Sequence, residues 1–185
     1  MSTEAERIVE LGGPAFSAAL TTLESELLAV AATGGPVLGP LATSTIAAGG
    51  KRLRPLLVFI TAGVDALEKP NVVRSAVAVE LLHAATLVHD DVIDGAALRR
   101  GLPTIAAAQG RLAATATGDF LFARAFAKLL ESGRPADIQV LSRASSALAE
   151  GEFMQREDAF DLDVWVKFFT DHRQRVLELC QTTHR

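Results

Sequence analysis

The chain is 185 residues long, 49% hydrophobic and 22% charged, with a formal net charge of −4. That suffices for one domain with a real core, excludes a disordered chain, and lacks the basic excess that a nucleic-acid binder brings to phosphate backbones. Cys180 is the only cysteine, which excludes an internal disulfide and makes a reducing cytoplasm the expected setting.

The N-terminal "MSTEAERIVE" is polar and acidic, so no signal peptide is expected. Residues 5–32 read as a first helix, with Ile8, Leu11, Ala15, Ala19, Leu23, Leu27 and Val30 spaced by three and four. Gly34-Gly35-Pro36 stops it. Residues 27–50 carry no charge, but the same glycines and prolines interrupt them, so no transmembrane segment is expected there. A short helix over about 38–48 ends at Gly49-Gly50. A third starts near Leu53, with Pro55 in its first turn. Pro70 opens a fourth, apolar nearly all round and therefore buried, which runs to about Asp94. Gly101 and Pro103 mark a break. Residues 111–131, then Pro135 to about Gln155, then Val164 to about Thr182 complete the helices. No strand signal recurs, so the class is all-α: a bundle of long, mostly antiparallel helices forming one domain over 1–185.

Three polar clusters interrupt this apolar pattern. Asp90, Asp91 and Asp94 fall at the C-terminal end of the fourth helix, with Asp90 and Asp94 on one face, one turn apart. Carboxylates there repel one another and meet the negative end of the helix dipole. A hard cation such as Mg²⁺ would offset both costs, taking one or two carboxylates and filling its other positions with water or phosphate. The plain alternative is a solvated acidic end paired with Arg99 and Arg100. "GGKRLRP" at 49–55 puts Lys51, Arg52 and Arg54 at a helix N-terminus, where backbone N–H groups also favour anions; a basic surface loop is the alternative. His83 lies two helical turns before Asp90 on roughly the same face, where a satisfied core histidine is the bland reading. "GEFMQ" at 151–155 places Glu152 and Gln155 on one face.

Taken in order, "GGKRLRP", "ELLHAATLVHDDVIDGAALRRGLPT", "ATGDFLFARAF" and "GEFMQ" resemble the successive motifs of the trans-isoprenyl diphosphate synthases, the polyprenyl synthetase family, over about residues 45–160. The resemblance implies an all-α bundle around a deep central cavity. It implies transfer of an allylic prenyl group onto isopentenyl diphosphate with release of diphosphate. It implies Mg²⁺ on Asp90 and Asp94 with Asp91 supporting, Arg99 on the allylic diphosphate, and Lys51, Arg54, His83 and Arg100 on isopentenyl diphosphate. Ala85 and Thr86, both small, would leave the cavity open to a long product. Members are commonly dimers, so a homodimer, or a heterodimer with another synthase, is implied.

The sequence departs from the family at two points. It holds no second DDxxD, and His172-Arg173 stand where the family carries a Lys-Thr pair, with Lys167 too early to replace it. The expectation is an incomplete, truncated domain, weak or inactive alone as a synthase. The competing reading is a non-catalytic or regulatory subunit, or a degenerate paralogue, that pairs with a full-length synthase. A class I terpene cyclase has no isopentenyl diphosphate to justify "GGKRLRP". An HD-type phosphohydrolase leaves Asp91, Asp94 and the arginines without a role.

Overall fold

The computed structural model describes residues 4–157. Among them lie seven α-helices and one small hairpin: α1 (Glu4–Ala32), α2 (Gly35–Ala47), α3 (Leu53–Ala62), α4 (Pro70–Ile93), β1 (Leu98–Arg99), β2 (Leu102–Pro103), α5 (Ile105–Gln109), α6 (Arg111–Leu130) and α7 (Pro135–Glu157). The expected all-α class holds. The chain divides into two compact units, Met1–Asp137 and Ile138–Arg185. The first contains α1 to α6 and the hairpin. The expected helix over 164–182, with Lys167, His172 and Arg173, lies outside the described residues.

Prolines and glycines set the helix ends as their chemistry predicts. Pro70 opens α4 at a position whose N–H has no intrahelical partner. Thr104 caps α5, its hydroxyl accepting from the Ala107 amide at 3.1 Å. Two expectations need correction. Helix α1 is not one rod: Gly13 takes φ 70°, ψ −161° and Pro14 restarts the helix. The face predicted from Ile8 to Val30 is therefore broken, and Leu11 ends 88% exposed. Beyond the break the pattern holds, with Ala19, Leu23, Leu27 and Val30 buried. The segment read as a plain break after Asp94 is an antiparallel hairpin, with Leu98 opposite Pro103 and Arg99 opposite Leu102. Its central residues, Arg100 (φ 54°) and Gly101 (φ 79°), both have positive φ, as a type I′ turn requires.

Helix α4 forms the core of the first unit, packing along α6, α3 and α1. Ala76, Val77, Ala78, Leu81, Leu82, Ala85 and Val88 are buried on it. Ala114, Gly118 and Ala125 are buried on α6, and Gly118 lies directly against His89 of α4, so the two helices approach closely there. Each fully buried Leu or Val contributes about 1.5–3 kcal/mol relative to exposure. Phe59 of α3 meets Phe16 of α1 edge to face, centroids 6.3 Å apart, a geometry that adds to simple burial.

Two stretches, Glu6–Ala32 and Pro70–Ile93, are long and apolar enough to cross a bilayer by length and composition alone. Core helices of soluble proteins pass the same test. Both charged residues buried on α4, Glu80 and Asp91, are held by protein partners. The uncharged run 27–50 is split by the turn at Gly34 into the end of α1 and α2.

Candidate active site

Lys51, Arg54, His83 and Arg100 come together. They line one cleft of about 480 Å³ with Gly50, Arg52, Leu53 and Glu80. Lys51 and Arg54 flank the start of α3 and are exposed, and His83 projects half-buried from α4. Arg100 arrives from the hairpin turn, its Nη1 3.5 Å from the Ala48 carbonyl. Gly50 leaves room for it: a Cβ there would sit 3.2 Å from Arg100 Nη2. Three cations around a concave surface at a helix N-terminus are a chemistry suited to an anion such as phosphate.

Arg52, the middle cation of "KRLR", borders the cleft but gives its guanidinium to protein partners. Its Nε donates to Glu24 Oε1 at 2.6 Å, Nη2 to Glu24 Oε2 at 3.0 Å and to the Ile46 carbonyl at 3.1 Å, and Nη1 to Glu80 Oε1 at 3.0 Å. Burial works against its charge, but the two carboxylates raise its pKa above the ordinary arginine value.

His83 feels the cleft. Burial first, and then the positive fields of Arg54, Arg100, Arg99 and Arg52, push its pKa down from 6.5 to about 4. It is therefore neutral at neutral pH, offering one N–H donor and one acceptor. An NMR titration of His83 is expected to show a midpoint near 4 and not 6.5. In the unfolded chain it binds its proton already at about 6.5, so its contribution to stability is full above that pH. That contribution is lost as pH falls from 6.5 towards 4. A midpoint above 6 would contradict the described cleft.

At the far end of α4 the three aspartates separate. Asp90 is half-buried and Asp94, the C-cap, is exposed; the Asp94 amide donates to the Asp90 carbonyl at 2.7 Å. Asp91 is buried and accepts from Arg99 Nε at 2.8 Å. Of the solvated-end alternative only the Asp91–Arg99 pair is seen, and there the carboxylate is buried, while Arg100 lines the cleft. Thr104 pins the hairpin to this helix end, its buried hydroxyl donating to the Ala96 carbonyl at 2.7 Å. Among the described residues no cluster of three or more His, Cys, Asp or Glu could hold a metal by protein groups alone. Asp90 and Asp94 supply two hard oxygen donors on one face, which fits Mg²⁺ completed by water and phosphate. Seven residues separate His83 from Asp90, about 10 Å along a helix axis, so the cleft and the acidic end are distinct places on one helix.

One residue from Asp90, His89 packs against α6. A Cβ at Gly118 would run into its imidazole. Its buried Nε2 lies 3.2 Å from Asp119 Oδ1, within ion-pair distance but without hydrogen-bond alignment.

The polyprenyl synthetase family profile matches residues 36–178. The chain belongs to this family. Among polyprenyl synthetases, heptaprenyl diphosphate synthase component 2 of Geobacillus stearothermophilus is 43% identical over 145 residues, covering 78% of this chain and 45% of that protein. Octaprenyl diphosphate synthase of Escherichia coli K12 is 38% identical over 119 residues, covering 64% and 37%. A polyprenyl synthase from Caulobacter crescentus CB15, solved with calcium and isoprenyl diphosphate, superposes with a TM-score of 0.78 at 36% identity, covering 88% of this chain and 48% of that one. The chain thus spans less than half the length of these synthases.

Glu24 lies outside the quoted motifs, and Glu80 opens the "ELLHAATLVHDD" stretch without a role assigned to it. Glu80 had a signal: it is the one acidic residue in the apolar run 75–88, and a buried carboxylate demands a partner. Glu24 carried none.

Proposed function

We propose that this chain carries the diphosphate-handling wall of a prenyltransferase that joins an allylic diphosphate to isopentenyl diphosphate in isoprenoid biosynthesis. The observation that carries the reading is the convergence of Lys51, Arg54, His83 and Arg100 on one cleft. The names of its relatives, all diphosphate synthases or prenyl transferases, support the substrate class. In this reading Lys51, Arg54 and Arg100 neutralise the diphosphate of isopentenyl diphosphate. His83, held neutral, orients it by hydrogen bonding without adding charge. Arg99, steadied by Asp91, faces the allylic diphosphate. Asp90 and Asp94 would hold Mg²⁺, which would supply positive charge to the diphosphate leaving group. As the allylic C–O bond breaks with its electron pair leaving on diphosphate, the double bond of isopentenyl diphosphate supplies the pair for the new C–C bond, and the proton from the carbon next to the resulting cation passes to the departing diphosphate. The apolar helices exclude water from the cation-like carbon.

These 185 residues contain no second DDxxD, and a leaving diphosphate needs more positive charge than one acidic cluster can position. Turnover of both substrates with Mg²⁺ by these residues alone is therefore expected to be weak or absent. A second reading, a subunit working with a partner synthase, is favoured by one observation: a relative is itself named a component of its synthase.

Calorimetry with inorganic pyrophosphate tests the site. Asp90→Ala with Asp94→Ala is expected to remove the Mg²⁺-dependent part of binding. Arg54→Ala is expected to weaken the Mg²⁺-independent part by about 1.5–3 kcal/mol, the range for a charge-assisted hydrogen bond. Unchanged Mg²⁺ dependence in the aspartate variant overturns the reading.

A further inference from the structure

We propose that Arg52 is a positioning residue for the anion cleft: it touches no diphosphate, and it acts by fixing the directions in which Lys51 and Arg54 present their charges. The inference rests on the diphosphate reading of that cleft. By sequence Arg52 is indistinguishable from its neighbours, one more cation in "KRLR".

The geometry assigns it a different task. All three guanidinium nitrogens are engaged, with Glu24 on α1, the Ile46 carbonyl on α2 and Glu80 on α4. Its side chain is only 10% exposed. Its own backbone is the N-cap of α3, with the Leu56 amide donating to its carbonyl at 3.0 Å. The side chain therefore ties three helices together at the point where the residue's own backbone begins α3.

The backbone at Arg52 is the second observation. It stands at φ 49°, ψ 33°, one of two non-glycine residues with positive φ among those described. Left-handed backbone is unfavourable for a residue with a Cβ and persists only where the surroundings over-determine it. Here the fork to Glu24 and the bond to Glu80 do so. The left-handed turn swings the Arg52 side chain inward while Lys51 and Arg54, on either side, stay exposed and line the cleft. The same network sets α4: Glu80 lies three residues before His83, so the bond to Arg52 Nη1 fixes the helix face that carries the imidazole.

Lysine keeps the charge but offers donors from a single point, so it cannot make the fork, the Glu80 bond and the carbonyl bond together. Arg52→Lys is therefore the informative variant, read by calorimetry with inorganic pyrophosphate in the absence of Mg²⁺. The expected result is a folded protein whose affinity falls at least about tenfold, since small misplacements of binding groups are costly. Arg52→Lys is expected to cost less once Arg54 is alanine than it does alone, because part of its effect runs through that residue. Leu129→Ala, a core change on α6 that lowers thermal stability, is expected to bind pyrophosphate as the unmodified chain does.

Each contrary result is distinct. If Arg52→Lys binds normally while Arg54→Ala does not, Arg52 has no positioning role. Fully additive losses make Arg52 a direct ligand. Equal weakening by Leu129→Ala makes its effect one of stability alone. No pyrophosphate binding by the unmodified chain overturns the cleft reading itself, and this inference with it.

Discussion

Arg52→Leu is expected to destabilise the chain by about 3–5 kcal/mol, the cost of leaving a buried charge without its partner. At roughly 2–4 °C per kcal/mol for a chain of this size, the loss is plain in a thermal melt. The stranded charge is Glu80, whose side chain is 6% exposed; Glu24, at 44%, can turn to water. The double variant Arg52→Leu with Glu80→Leu is therefore expected to recover much of the loss, because no buried carboxylate remains. A single variant as stable as the parent, or a double variant less stable than the single, would refute this account of the network.

Phe59→Ala should cost a comparable amount, about 3–5 kcal/mol for a fully buried aromatic ring. Phe59 is completely buried on α3 and meets Phe16 edge to face. Leu57, two residues away on the same helix, is 60% exposed, and Leu57→Ala is expected to stay within about 0.5 kcal/mol of the parent. The contrast tests which face of α3 is inward. It also bears on the site, since the start of this helix carries Lys51 and Arg54. Chemical denaturation of both variants measures it, and equal losses would mean that the face is misassigned.

Much of the fold was legible because helix ends are written in local chemistry. Pro70, the Gly34-Gly35-Pro36 turn and Gly49-Gly50 each act through their own backbone, whatever the tertiary context. The break at Gly13 was missed because the apolar spacing continues past it. A periodic pattern does not show that the helix axis has turned, and so Leu11 fits the apolar spacing yet lies exposed. The hairpin was missed because strands of two residues are too short to show alternation. Its turn, Arg100-Gly101, offers glycine at only one of the two positive-φ positions.

The candidate site divides in the same way. Asp90 and Asp94 were legible as an unfavourable pairing at a helix end. Lys51, Arg54, His83 and Arg100 were grouped by resemblance, and the cleft shows them as neighbours. The direction of Arg52 was not legible. Its partners lie 28 residues before it and 28 after it, and nothing local separates an inward arginine from an outward one. The plain alternative pairs the whole acidic cluster with both arginines; the structure shows Asp91 with Arg99, and Arg100 at the cleft. What chose between the two was the turn, which sends adjacent side chains different ways.

That turn constrains how the chain can vary. Arg99 and Arg100 are consecutive, yet one reaches the end of α4 and the other the cleft near the start of α3. Arg99 is the last residue of β1 and Arg100 the first left-handed position of the turn, so a residue inserted or removed here changes which side chain falls at the strand end and which at the turn. A single-residue change in length within 98–103 would send each guanidinium to the wrong address at once. Surface loops ordinarily tolerate insertions well. This one connects two places that must both be served, so its length is held by two requirements, although most of its residues lie open to solvent.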